Sequence, residues 1–218
     1  MNAAGIRRQL VEIGKKLDSL GLVIGPGGNI SARLGDVVYM KASGICMCEA
    51  KPSDYVGVDI NTGKLVDGVL KPTSETPMHL ECYRVRRDVM AVVHTHPTYA
   101  SAVAMQGKPF KPVNPDFVAL LCGEVPLIGF VKPTGQELAD AVAAKIRKSQ
   151  AVMMMNHGLI SVGTTLKEAL YRTMFVEETA KLVVAAKTLG KMSYLTGSQA
   201  KCVDALPAEA YRRKLLKK

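Results

Sequence analysis

Four histidines, at positions 79, 94, 96 and 157, are the obvious chemistry-bearing groups of this sequence. His94 and His96 lie in His94-Thr95-His96-Pro97, at the end of the apolar run Val89 to Val93. The two-residue period of a strand sends both imidazoles to one face, within reach of a common cation. A lone histidine is more often a packed or surface residue, but a His-x-His pair at a strand end suits a divalent metal. His157 follows a second buried-type run, Ala151 to Met155, within Asn156-His157-Gly158. Three histidines with an open fourth position form the donor pattern of a catalytic zinc site. His79 is left outside this set, because it falls within a helical stretch two residues past Pro77 and has no loop context.

Glu75 is the candidate fourth ligand. It lies in Lys71-Pro72-Thr73-Ser74-Glu75-Thr76-Pro77, where a helix is expected to begin. Thr73 or Ser74 can cap that helix, Pro77 suits its first turn, and a carboxylate is favoured beside its N-terminal partial charge. Three small-residue loops accompany these groups: Gly27-Gly28-Asn29-Ile30-Ser31, Ser43-Gly44 and Thr73-Ser74. Each alone reads as an ordinary turn. Together they can cradle a phosphate with N–H and hydroxyl donors, without a lysine or arginine.

The elements that must position these groups are legible in outline. Apolar residues recur at helical spacing over residues 5–20, and strands are expected at 37–41, 56–60, 89–93, 125–131, 151–155 and 159–162. Helices are expected from about Thr73 through Val85 and over 98–105, 135–148 and 165–189, with a short one after Pro207. Residues 117–121 fit helix or strand equally well. With no repeat, linker or composition shift, the pattern reads as one α/β domain over residues 1–218 with a basic tail at about 203–218.

Composition excludes several classes. The 218 residues are 48% hydrophobic and 22% charged, which is globular and not disordered. No apolar run approaches the roughly 18–20 residues that span a bilayer, and the N-terminus lacks a signal peptide's apolar core. A cytoplasmic protein without a membrane partner is expected. The five cysteines are scattered and odd in number, and read as free, mostly buried thiols. Cys46-Met47-Cys48 lacks the second pair that a structural metal site would carry. The net charge of +10 is dispersed, densest at Arg212, Arg213, Lys214, Lys217 and Lys218. Aromatics are 5% of the chain and tryptophan is absent, which poorly supplies a nucleic-acid stacking platform. The same charge suits a small anionic substrate.

The ordered set GGNIS, ASGI, PTSETPMH, HTHP and NHG resembles the class II aldolase/adducin family over nearly the whole chain, from about residue 5 to 190. The resemblance implies a three-layer α/β fold around a central, mainly antiparallel sheet flanked by helices. It implies Zn2+, or another divalent ion such as Mn2+ or Co2+, held by His94, His96 and His157, with Glu75 as ligand and acid/base. The phosphate would lie against Gly28, Asn29, Ser43, Gly44, Thr73 and Ser74. The implied reaction is that of an aldehyde-lyase, cleaving a phosphorylated ketose such as L-fuculose 1-phosphate to dihydroxyacetone phosphate and an aldehyde. The implied assembly is a homotetramer with sites at subunit interfaces.

Three positions fit that pattern less simply. Aldolases of the family bring a neighbouring subunit's tyrosine near the segment matching Asn114-Pro115-Asp116-Phe117, yet Phe117 cannot donate a proton. Asp116 matches an acid of the family's 4-epimerases, leaving a ribulose-phosphate 4-epimerase or a methylthioribulose-phosphate dehydratase as the alternative. Glu75 favours the aldolase. Tyr211 is the candidate for the family's C-terminal catalytic tyrosine. A non-catalytic adducin-like module would not need the full set of three histidines and Glu75.

Overall fold

The structure, a computed structural model, describes residues 2–216. Lys217 and Lys218 of the expected basic tail lie outside the described residues. The chain begins with α1 (Ala3–Ser19), capped by Asn2, whose side chain accepts from Gly5 N, and packed through Ile6, Leu10, Gly14 and Leu17. β1 (Asn29–Leu34), β2 (Val37–Lys41), β3 (Tyr55–Asp59) and β4 (Leu65–Asp67) follow. Next come α2 (Thr76–Val85), β5 (Ala91–Thr95), α3 (Thr98–Ala104), α4 (Pro115–Leu121) and β6 (Leu127–Ile128). The chain continues through α5 (Gln136–Ile146), β7 (Ala151–Met154), β8 (Gly158–Gly163) and the long α6 (Leu166–Thr188). It closes with α7 (Gly197–Asp204) and α8 (Pro207–Leu216).

Among the described residues the strands form one sheet in the order β4-β3-β2-β1-β5-β8-β7-β6. Every pairing is antiparallel except β6 with β7. Helices cover both faces, so the expected three-layer, mainly antiparallel α/β architecture is what the chain adopts. The strand period sorts side chains between the layers. Val92, Ile160 and Val162 join α2 and α5 in one core, with Met78, Leu80, Leu138 and Val142. Ala91, Val93, Ile30 and Ala32 point the other way, to α1 and α6. A third cluster beside the second joins α3, α4 and α6 through Phe110, Phe117, Met153, Leu159 and Val176.

Several elements differ from expectation. Asn29 to Ser31, read as part of a glycine-rich loop, begin β1. That strand lies between β2 and β5 and is buried on both faces at its start, so it carries no hydrophobic alternation to read. The strand expected over 125–131 shrinks to Leu127–Ile128, with Val125 making only a bridge to Phe110. Pro126, without an N–H, lies between them. Residues 117–121 are helical because Asn114 accepts from Phe117 N and Pro115 opens the first turn. β4 and α7 were not expected; both are short and surface-lying. Only Cys82 is buried, while Cys48, Cys122 and Cys202 are exposed, so the thiols are free but not mostly buried.

Candidate active site

The sheet parity places the candidate ligands. His94 shares the face of Val92, and Asn29 and Ser31 lie on the face opposite to Ile30 and Ala32. Asn29 pairs directly across from His94, and Ser31 across from Val92. All four residues therefore face α2. Glu75, His79 and Tyr83 recur every four residues at the start of and along α2, which points them back at the same strip of sheet. His157 arrives from the other side, in the three-residue loop joining β7 to β8, where Met154 pairs with Gly158. Asn156 in that loop is left-handed (φ 56°), a conformation asparagine tolerates.

The three imidazoles converge. Their ring centroids are separated by 4.8 Å (His94–His96), 4.9 Å (His94–His157) and 5.5 Å (His96–His157). One nitrogen from each lies within 4.8 Å of the others. Glu75, itself buried, presents Oε2 at 3.1 Å from His94 Nε2 and Oε1 at 3.2 Å from His157 Nε2. Glycine is required beside this cluster. A Cβ on Gly158 would meet Thr95 O and lie 2.8 Å from His96 Cδ2. At Gly28, with φ +67°, a Cβ would lie 2.6 Å from Val23 Cγ1 and 2.8 Å from His94 O.

The donor set fits a divalent cation. His94 Nδ1 lies 3.0 Å from Leu159 O. A carbonyl only accepts, so Nδ1 carries the proton and Nε2 presents a lone pair. That lone pair faces His96 Nε2 at 3.0 Å and the Glu75 carboxylate. Glu75 Oε1 and His157 Nδ1 are buried without a hydrogen-bond partner. Three ring nitrogens and a carboxylate converging at this distance, with two buried polar atoms left unpartnered, match a cation's coordination needs better than a protein-only network. Partial burial, then the neighbouring His94 and His157, hold the His96 imidazole down to about 4, in the neutral form that metals bind. Burial alone would push the Glu75 carboxyl up, but His94, His157 and Asn29 together draw it well below the usual carboxylate range.

The three candidate anion loops are drawn together by Lys41, absent from the sequence expectations. Its Nζ is buried and donates to Pro26 O at 2.9 Å and Ile45 O at 2.5 Å, tying the glycine-rich turn to the Ser43-Gly44 turn. Ser43 N donates to Lys71 O and Thr73 N to Lys41 O, which brings Thr73 and Ser74 alongside. Ser43, Gly44 and Ser74 are exposed, whereas Gly28, Asn29 and Thr73 are buried. Asn29 turns inward, donating from Nδ2 to Glu75 Oε2 at 2.9 Å. His79, set aside on sequence grounds, lies directly behind it with Nε2 2.5 Å from Asn29 Oδ1. The signal that could have found it was the Glu75, His79, Tyr83 repeat.

Asp116 and Tyr211 are placed elsewhere. Asp116, in the first turn of α4, pairs with Arg212 at 2.6 Å, and Tyr211 on α8 is 64% exposed. Arg213 pairs with Asp204, so part of the tail's positive charge is engaged within the chain. Cys46 and Cys48 bring their sulfurs to 2.8 Å beside Asp18, apart from the histidine cluster. Among the described residues no helix is long and apolar enough to cross a membrane.

Comparison with known proteins gives a consistent result. Residues 8–184 match the class II aldolase and adducin N-terminal domain. The chain is 35% identical over 191 residues to a 5-deoxy-D-ribulose 1-phosphate aldolase of Bacillus thuringiensis serovar kurstaki, covering 87% of this chain and 89% of the relative. It is 34% identical over 177 residues to a 5-methylthioribulose-1-phosphate/5-deoxyribulose-1-phosphate aldolase of Rhodospirillum rubrum, covering 81% and 79%. A solved L-fuculose 1-phosphate aldolase superposes with a TM-score of 0.89 at 30% identity, covering 97% of this chain and 98% of the other.

Proposed function

The chain belongs to the class II aldolase and adducin family, and from that premise we propose that it is a metal-dependent aldolase cleaving a ketose 1-phosphate to dihydroxyacetone phosphate and an aldehyde. The observation that carries this reading is the convergence of His94, His96 and His157 with the Glu75 carboxylate on one point of the sheet face. The three relatives named above act on ketose 1-phosphates by their names, which supports that substrate class.

His94, His96 and His157, with Glu75 beside them, would hold the divalent ion, zinc by donor type. When bound, such an ion supplies Lewis-acid stabilisation of negative charge on the substrate's oxygens. The remaining work falls to this chain's own groups. In cleavage the C3–C4 bond breaks and its electron pair stays on C3. The C4 hydroxyl loses its proton and becomes the aldehyde, and C3 takes up a proton. Glu75 would handle the C3 proton, a role supported by its unpartnered Oε1 and by Asn29 holding Oε2. The exposed Ser43, Gly44 and Ser74 offer N–H and hydroxyl donors for the phosphate, fixing the end that does not react.

Asp116, the residue behind the epimerase or dehydratase alternative, has its carboxylate engaged by Arg212. Asp116 and Tyr211, exposed on α4 and α8, would act on a sugar held by a neighbouring subunit, in a cytoplasmic homotetramer whose sites lie at its interfaces. Exposed Ile24, Phe130 and Tyr211 are apolar surface of the kind such contacts bury. Incubating the zinc-loaded protein with a panel of ketose 1-phosphates and 5-phosphates tests the reading. Dihydroxyacetone phosphate should appear from at least one 1-phosphate; an epimerised or dehydrated product with no triose phosphate would overturn it.

A further inference from the structure

Behind Glu75 a line of buried polar side chains runs from α2 into β1 and back. Tyr83 Oη lies 2.7 Å from Ser31 Oγ, and Ser31 Oγ lies 2.7 Å from His79 Nδ1. His79 Nε2 lies 2.5 Å from Asn29 Oδ1, and Asn29 Nδ2 lies 2.9 Å from Glu75 Oε2. Ser31 and His79 are fully enclosed and Tyr83 nearly so. Polar groups this deep are costly unless fully paired.

The direction of every bond follows from one end. A carboxylate oxygen accepts, so Asn29 turns its amide N–H toward Glu75 and its carbonyl toward His79. A carbonyl also accepts, so His79 carries its proton on Nε2. The enclosed ring has no carboxylate against it to support a second proton, so Nδ1 is an acceptor. Ser31 must then donate to Nδ1 and accept from Tyr83. All four bonds point the same way and end on Glu75.

We propose that Ser31, His79 and Tyr83 are positioning residues for Glu75, acting through Asn29. By fixing the His79 tautomer they fix the Asn29 amide, which holds Oε2 and leaves Oε1 turned to the imidazole cluster. None of the three touches the substrate. The inference rests on the reading of Glu75 as the acid/base.

Ser31→Ala removes the donor to His79 Nδ1. The Nδ1-protonated tautomer then becomes accessible, its Nε2 lone pair opposes Asn29 Oδ1, and an amide rotated to relieve this sets oxygen against the carboxylate. In the metal-loaded enzyme, with the better cleaved of L-fuculose 1-phosphate and 5-deoxy-D-ribulose 1-phosphate, kcat should fall about tenfold while KM and bound metal stay unchanged. Tyr83→Phe, which removes only the far hydroxyl, should lower kcat in the same sense but less. Nitrogen NMR of His79 in the metal-free wild type should show a neutral ring protonated on Nε2, and Ser31→Ala should shift it to a mixture of tautomers. Unchanged kcat in Ser31→Ala overturns the inference, as does a wild-type ring protonated on Nδ1. If Ser31→Ala does not fold, Tyr83→Phe and the wild-type ring decide. Glu75→Gln separates the two claims: wild-type turnover there defeats the acid/base reading, whereas an inactive Glu75→Gln beside a normal Ser31→Ala defeats only the relay.

Discussion

The imidazole pocket and the patch formed by α4 and α8 carry the two halves of the expected site, and they are built differently. The pocket stands on β1, β5 and β8, adjacent strands in the middle of the sheet; Asn29 and His94 are held by strand pairing, and His96, His157 and Glu75 stand at the ends of the elements beside them. His94 and Glu75 are buried within one chain and reach each other at 3.1 Å. The α4–α8 patch presents Asp116 and Tyr211 at the surface, held by exposed ion pairs such as Arg212 with Asp116. Exposed pairs of this kind contribute about 0–1 kcal/mol. Groups that must act together at a cation are secured by the sheet, whereas groups that would meet a substrate from outside are left on short helices.

The contrast predicts a gradient of effects. His94→Ala should abolish metal binding and lower turnover by about a thousandfold or more, with the fold retained by circular dichroism. Retained metal in that variant would mean that the pocket is not the centre. Gly28→Ala should destabilise the protein by about 2–3 kcal/mol in denaturant titrations, since the Cβ meets β5 backbone and φ is positive. An unchanged midpoint would show that the turn is less constrained than its contacts indicate.

A pH prediction concerns the pocket's hidden wall. Burial lowers the His79 imidazole to about 3 from an ordinary 6.5. The unfolded chain therefore takes up a proton below pH 6.5 that the folded chain refuses. This contribution costs nothing above pH 6.5 and grows as pH falls from there toward 3, by up to about 1.4 kcal/mol per pH unit. A His79→Asn variant should show a shallower loss of stability over that window; an identical slope would argue against a neutral His79. At the patch, Asp116→Asn and Tyr211→Phe should leave metal content and stability unchanged and lower turnover about tenfold or less. Loss of metal in either would erase the distinction between the two regions.

Much of the pocket was legible in the sequence because its signals are local. His94 and His96 share a strand end, Asn156-His157-Gly158 marks a hairpin loop, and the Thr73–Pro77 segment announces a helix start. What was missed depends on contacts between distant segments. Asn29 and Ser31 looked like loop because the central strand β1 is covered on both faces. His79 looked like an ordinary helical residue because its partners lie on β1, about 50 positions away. Lys41 has the sequence context of one more strand residue, and only the contacts of its amine with two turns distinguish it. The long α6 was readable, since Thr165 caps it, but β4 and α7 carry too few residues for a periodicity to show.

Titrating zinc into chelator-stripped protein, while following release of dihydroxyacetone phosphate from a ketose 1-phosphate, probes the cluster itself. Turnover should rise from near zero and level off at one ion per chain, with no rise in His94→Ala. Full turnover in the stripped protein, insensitive to added metal, would contradict a metal-centred site at His94, His96 and His157.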